Sequence, residues 1–288
     1  MAIAEHDLRD VASEVAGLDA LDAVDVGPPR RTRIWRSTWP KLAAISLAVG
    51  IWQAVVWSHW KPDYVLPGPG TVLPRLWQEL GKATTWRAIG ITGQRAGLGF
   101  AVSLVIGVVV GALVARSRIL RSAVGSFITG LQTMPSIAWF PLAILLFKLT
   151  DHAILFVVVL GAAPSIANGV ISGIDHIPPI LLRAGRVLGA QGLRSYRHII
   201  LPAALPAFLA GLKQGWAFLW RSLMAGELFV VIANRPNIGL RLNQEFENVD
   251  TAGLISWMLI VLVIGIVVDA FGFGLLERAV RRRRGLLS

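Results

Sequence analysis

Arg183-Ala184-Gly185-Arg186-Val187-Leu188-Gly189 is followed by nine residues and then by Ile199-Ile200-Leu201-Pro202. This polar, basic stretch lies between two long apolar segments. Gly189 and Gly192 permit a sharp turn or a close approach of backbone. Pro178-Pro179 ahead of it can open a short helix, because proline is tolerated in the first helical turn. An ordinary basic loop would account for the arginines, but not for the glycine and Ile-x-Leu-Pro spacing. The segment reads as a shaped helix at the membrane surface, with Arg194, Tyr196 and Arg197 turned towards a partner or the lipid headgroups.

The flanking segments set the fold class. The 288-residue chain is 55% hydrophobic, with a mean hydropathy of +0.63. Its apolar residues cluster in runs long enough to cross ~30 Å of hydrocarbon, which takes about 20 helical residues. An all-α polytopic membrane protein follows, with six spans near 42–58, 88–115, 122–149, 153–173, 199–232 and 254–276. Residues 1–38 read as a mobile cytoplasmic tail, 39–277 as the membrane domain with the quoted loop at 174–198, and 278–288 as a basic cytoplasmic tail. Pro67-Gly68-Pro69-Gly70 precedes apolar residues at helical spacing, which predicts a short amphipathic helix in the outer interface. Trp52, Trp57, Trp60 and Trp86 suit interfacial belts.

Lysine and arginine orient the chain. With both termini inside, the inner segments (1–41, 116–121, 174–197 and 278–288) carry eighteen and the outer segments seven. The quoted loop is then cytoplasmic. The same asymmetry explains the net charge of +11 without a nucleic-acid partner. The chain has no cysteine, so disulfides and thiol chemistry are excluded. The five histidines show no ligand spacing, and neither a metal site nor catalysis is expected. No G-x-x-x-x-G-K-[ST] sequence is present, so the chain cannot hold ATP in the P-loop manner.

Charged groups inside spans cost ~2.5–3.5 kcal/mol each on insertion scales and need a reason. Arg95, Arg221, Glu227 and Asp269 are the candidates. Arg221 and Glu227 are too far apart on one helix to pair, so Arg221 faces a cavity, a second subunit or a distant carboxylate. A cation there would favour an anionic solute. Asp269 reads as structural. Pro135, Pro141 and Pro164 remove helical hydrogen bonds, which is tolerated where backbone is buried in protein or lines a cavity. Gln132, Met134, Ser136 and Asn168 near those breaks, with Trp216, Trp220, Arg221 and Glu227, are the candidate solute path. Gly107-x-x-x-Gly111 and Gly93-x-x-x-Gly97 allow close helix packing.

The quoted loop resembles the E-A-A-x3-G-x9-I-x-L-P loop of ABC-importer permeases. Ala184, Gly189, Ile199, Leu201 and Pro202 fall in register; Gly185 replaces the second alanine and Arg183 the glutamate. In that family the loop is a coupling helix docked on a separate ATPase. Met134–Ala143, Leu66–Pro69, Lys213–Arg221 and Ala225–Glu227 are similar to permeases of the nitrate, sulfonate and taurine group. The resemblance implies a type I importer permease fold, a homodimer and two ATPase subunits that bind the ATP and Mg. It also implies an extracytoplasmic solute-binding protein and a small anionic solute, such as an aliphatic sulfonate, taurine or a nitrate-like ion. An ion-coupled secondary transporter is the other reading; its coupling carboxylate would be Glu227 or Asp269.

Overall fold

The computed structural model describes residues 30–232 and 235–283. The chain divides after Trp60. The first unit contributes α1 (Arg30–Trp57), apolar enough to cross a membrane from Thr38 onward. Residues 30–38, expected in the tail, are therefore helical; residues 1–29 lie outside the described part. The second unit holds α2 (Pro69–Leu80), α3 (Ala83–Arg116), α4 (Arg118–Thr133), α5 (Phe140–Phe147), α6 (Asp151–Asp175), α7 (Pro179–Val187), α8 (Leu193–Phe229), α9 (Ile238–Glu247), α10 (Thr251–Val267) and α11 (Gly274–Arg283). A π-helical turn, Val268–Phe273, carries α10 into α11. The expected C-terminal tail is thus helical as far as Arg283. Among the described residues, five helices are long and apolar enough to span a bilayer, or six if one bent pair counts as a span.

That pair is the third apolar segment, which the prolines were expected to interrupt, and it turns sharply at one of them. α4 ends at Thr133, Met134 and Pro135 are extended, Ser136–Trp139 form a 3-10 turn, and α5 leaves at 101°. Pro135 is the cause: it lacks an N–H and pushes Met134 out of the helical region. Pro141 breaks nothing, because it occupies the first turn of α5. Pro164 does not break its helix either. α6 runs unbroken through it, with the ring buried; packing on neighbouring helices overrides local propensity here.

α6 is the axis of the second unit, with α3 along one side and α8 along another. Between helices in lipid there is little hydrophobic driving force, so association depends on close van der Waals packing. Glycine allows it. A Cβ built on Gly169 of α6 would lie 2.7 Å from the Gly211 Cα of α8. On the other side, a Cβ on Gly107 of α3 would lie 2.8 Å from the Ala163 carbonyl oxygen, and one on Gly111 would lie 2.8 Å from that of Ala167. Towards the N-terminal end of α6, Ile154, Val157 and Val158 form a buried apolar cluster with Leu219 of α8. Gly93 and Gly97, also expected to allow close packing, face open space.

Beyond the span ends, α2 packs on α10 with Val72 fully buried. Arg75 holds this corner among three carboxylates, 2.9 Å from Asp250, 3.4 Å from Glu79 and 3.9 Å from Glu245. Burial, together with repulsion from Asp250, pushes the Glu245 carboxyl above its usual range. The Asp250 carboxyl is held low, chiefly because it accepts the backbone N–H of Gly253 at the start of α10.

Two outcomes follow. Gly169→Val sets a branched side chain against backbone that cannot move aside, and should destabilise the chain by about 1–3 kcal/mol, seen as lower thermal stability in detergent. Glu245 titrates above its unfolded value, so the fold disfavours its ionised form. That cost is absent at low pH and appears as pH rises through the raised pKa. Glu245→Gln should therefore raise the unfolding temperature near pH 8. The gain should shrink as pH falls towards 4.5; a gain independent of pH would rule out titration of Glu245 as its source.

Candidate coupling hairpin and membrane path

α7 and the start of α8 form a hairpin whose turn is fixed by hydrogen bonds. The Gly189 N–H donates to the Arg186 carbonyl at 3.1 Å and the Ala190 N–H to the Gly185 carbonyl at 2.8 Å. These two bonds form a Schellman motif, which needs a left-handed residue just past the helix end. Gly189 is that residue, with φ +77° and nothing packed around it. Its conformation, not a close contact, demands glycine. At Gly185 the feature is contact: a methyl there would push aside the Ile199 δ-methyl, the movable end of that side chain. Gly185 and Ile199, fourteen residues apart by number, thus pack α7 against the π-helical turn Tyr196–Ile200 that opens α8.

The other face of the hairpin is uncovered by the described residues. Val187, Leu188 and Leu193 are 87, 85 and 84% exposed. Arg183, Ala184, Arg186, Arg194 and Tyr196 are exposed around them. Leu201 and Pro202 open the regular part of α8 and are also exposed. Three large apolar side chains ringed by arginines, on a backbone locked by its cap, form a surface suited to an apolar and anionic groove.

The candidate path residues separate into three groups. Gln132 and Asn168 meet: the Asn168 amide donates to the Gln132 side-chain oxygen at 2.6 Å, and Gln132 donates to the Ser165 hydroxyl at 2.9 Å. This chain of amides ties α4 to α6 just before the break, beside which Met134 is exposed and Ser136 half-buried. Trp216 and Trp220 stack, with centroids 6.1 Å apart, and are half-buried against the core. Arg221 points the other way. It is exposed, its Nε donates to the Ala217 carbonyl at 3.3 Å, and its guanidinium lies 5.0 Å from the centre of the Phe218 ring. Ala210, Gln214, Ala217 and Arg221 follow one another at helical spacing along one exposed stripe of α8. Small and polar residues are unusual on a face turned to lipid.

Glu227 departs from the expected path lining: it is fully buried. Arg95 Nη1 donates to its Oε1 at 2.8 Å, the Thr92 hydroxyl lies 2.8 and 3.0 Å from its two oxygens, and the Gly239 N–H donates to Oε2 at 3.2 Å. The carboxylate sits at the N-terminus of α9, where the helix dipole favours negative charge. Arg95 continues outward. Its Nε donates to Asp151 Oδ1 at 2.8 Å, with Nη2 2.7 Å from the same oxygen but not angled for a hydrogen bond. Asp151 Oδ2 accepts from Arg235 at 2.9 Å. The network joins α3, α6, α8 and the segment before α9. In the sequence Arg95 and Glu227 stand out as separate charges, and Thr92, Asp151 and Arg235 do not stand out with them, because the partners lie far apart in the chain. Asp269 pairs with Lys213 at 3.0 Å.

Residues 103–284 match the family model described as binding-protein-dependent transport system inner membrane component. An ABC transporter permease protein of Brucella melitensis is 28% identical over 86% of this chain and 97% of its own length. The taurine transport system permease protein of Escherichia coli is 25% identical over 86% and 91%. Further relatives are named as aliphatic sulfonate, nitrate and bicarbonate permeases. The inward-facing methionine ABC transporter MetNI contains a chain with the same fold, at a TM-score of 0.58, 20% identity and coverage of 68% of this chain and 96% of that one. The chain belongs to the family of binding-protein-dependent transport system inner membrane components, and is a multi-pass permease of an ABC importer.

Proposed function

We propose that this permease imports a small anionic solute of the sulfonate, taurine or nitrate type, working as a homodimer with both termini in the cytoplasm. Two separate ATPase subunits bind the α7–α8 hairpins and hold the ATP and Mg. A solute-binding protein delivers the solute from outside. The observation that carries the reading is the capped hairpin with Val187, Leu188 and Leu193 exposed on it. A helix held rigidly by its Schellman cap and by the Gly185–Ile199 contact can pass a displacement into α8. Closure of the ATPase dimer moves the hairpins, and the spans follow from one arrangement to the other. ATP drives transport only through its different affinity for those two arrangements.

The stripe ending in Arg221 supports an anionic solute and a second copy of the chain. Gln214 and Arg221 are too polar for hydrocarbon, and the stripe is exposed among the described residues. Between two copies they would line a shared path with a cation from each side. The relatives named for sulfonate, taurine, nitrate and bicarbonate transport agree in charge type. A secondary transporter fits less well, because Glu227 and Asp269 are both held in ion pairs.

The test is ATP-driven uptake by the assembled importer in proteoliposomes. Gly189→Val forces a β-branched residue into the left-handed region, which unhinges the cap. It should leave the permease in the membrane and abolish solute-stimulated ATP hydrolysis. Wild-type stimulation in that variant would refute the coupling assignment. Arg221→Gln should assemble normally with unchanged basal hydrolysis, and lower uptake of the anion at least about tenfold, equivalent to ~1.4 kcal/mol. Unchanged uptake would remove Arg221 from the path, and failure to assemble would make it structural.

A further inference from the structure

A cleft of about 400 Å³ lies between α3, α6 and the start of α8. Depth within it can be assigned from chain direction. α3 and α6 run towards the hairpin end, and α8 runs away from it. Ala112, Ile174 and Tyr196 are therefore at the hairpin end of the cleft, and Val108, Val170 and Phe208 are at its deep end. Its lining is apolar except at that hairpin end, where Tyr196 and Arg197 stand. Arg197 is exposed and has no ion-pair partner among the described residues. Arg116, one helical turn beyond Ala112 on α3, is exposed beside the same end.

Length decides what such a cleft accepts. From Arg197 to Phe208 is eleven helical residues, or ~16 Å at about 1.5 Å each. One leaflet of the hydrocarbon core is ~15 Å deep, half of the ~30 Å total. The cleft therefore accommodates one acyl chain of one leaflet, with guanidinium groups at the depth of the headgroups. Basic side chains at that level attract anionic lipids.

We propose that this cleft binds an anionic phospholipid of the cytoplasmic leaflet, with an acyl chain along Val108, Val170 and Phe208 and its phosphate on Arg197. The lipid would lie directly beneath the π-helical turn that joins the hairpin to α8. The leaflet follows from the orientation proposed above; nothing in the site depends on which solute is moved.

The full-length chain, purified in mild detergent, should retain phosphatidylglycerol and not phosphatidylcholine when each is titrated during native mass spectrometry. Arg197→Gln should weaken retention about fivefold, as expected for one basic group at an anionic surface, and Arg197→Lys should largely restore it. Ala112→Phe should exclude the lipid by filling the shallow end from an exposed position, with thermal unfolding unchanged. A photoreactive benzoylphenylalanine at position 112 should form adducts with lipid. Equal retention of both lipids, or full retention by Arg197→Gln, would overturn the proposal. So would adducts at position 112 with a second copy or with residues 30–57, because protein would then fill the cleft. Solute uptake enters none of these arms, so the proposal and the transport reading fail separately.

Discussion

The structure depends on the approach of α6 to α8 at Gly169 and Gly211, where two backbones touch with no side chain between them. In water such a contact would be a small addition to a hydrophobic core. In a bilayer it is the main available source of attraction, because lipid tails solvate leucine as well as a neighbouring helix does. The glycines of α3 repeat the device on the other side of α6. Ordinary side chains at these crossings would move both flanking helices outward. The Arg95–Glu227 pair and the Gln132–Asn168 bond would then lose their geometry.

Polar groups in this protein follow from the same absence of water. An unpaired buried charge is costly, and Glu227 is answered from several directions by Arg95, Thr92 and the start of α9. Gly239 crosses so close to Glu227 that a side chain there would collide with it. The carboxylate thus fixes where the chain re-enters the bundle after α8. Arg221, six residues earlier, has no carboxylate answering it among the described residues, and its stripe remains open. One helix carries a charge that closes the structure and a charge left for something outside the chain.

Much of this was legible in the sequence, for physical reasons that differ by element. Five spans could be read because stretches of about twenty mostly apolar residues have few other uses. In the third, the prolines marked an interruption but not which of them turns the chain: Pro135 does, while Pro141 and Pro164, equal signals by residue type, break nothing. The hairpin was readable because its glycines and Ile-x-Leu-Pro have fixed spacing, yet the reasons differ at its two central glycines. Gly189 supplies a left-handed turn and Gly185 supplies room for Ile199, and no single sequence separates those roles. The Glu227 network was not readable, because Thr92, Asp151 and Arg235 approach it only through the fold. Gly93 and Gly97 show the converse: a motif present in sequence with nothing packed on it.

The central claim is that the bare face of the hairpin docks on a nucleotide-hydrolysing partner and transmits its motion. The most direct measurement places a photoreactive benzoylphenylalanine at Val187 in the assembled importer and identifies what it captures. The account predicts adducts with the ATPase chain, in a yield that changes between the nucleotide-free and ATP-bound states. Capture of lipid or of a second permease alone, in a complex that still hydrolyses ATP in response to solute, would contradict it.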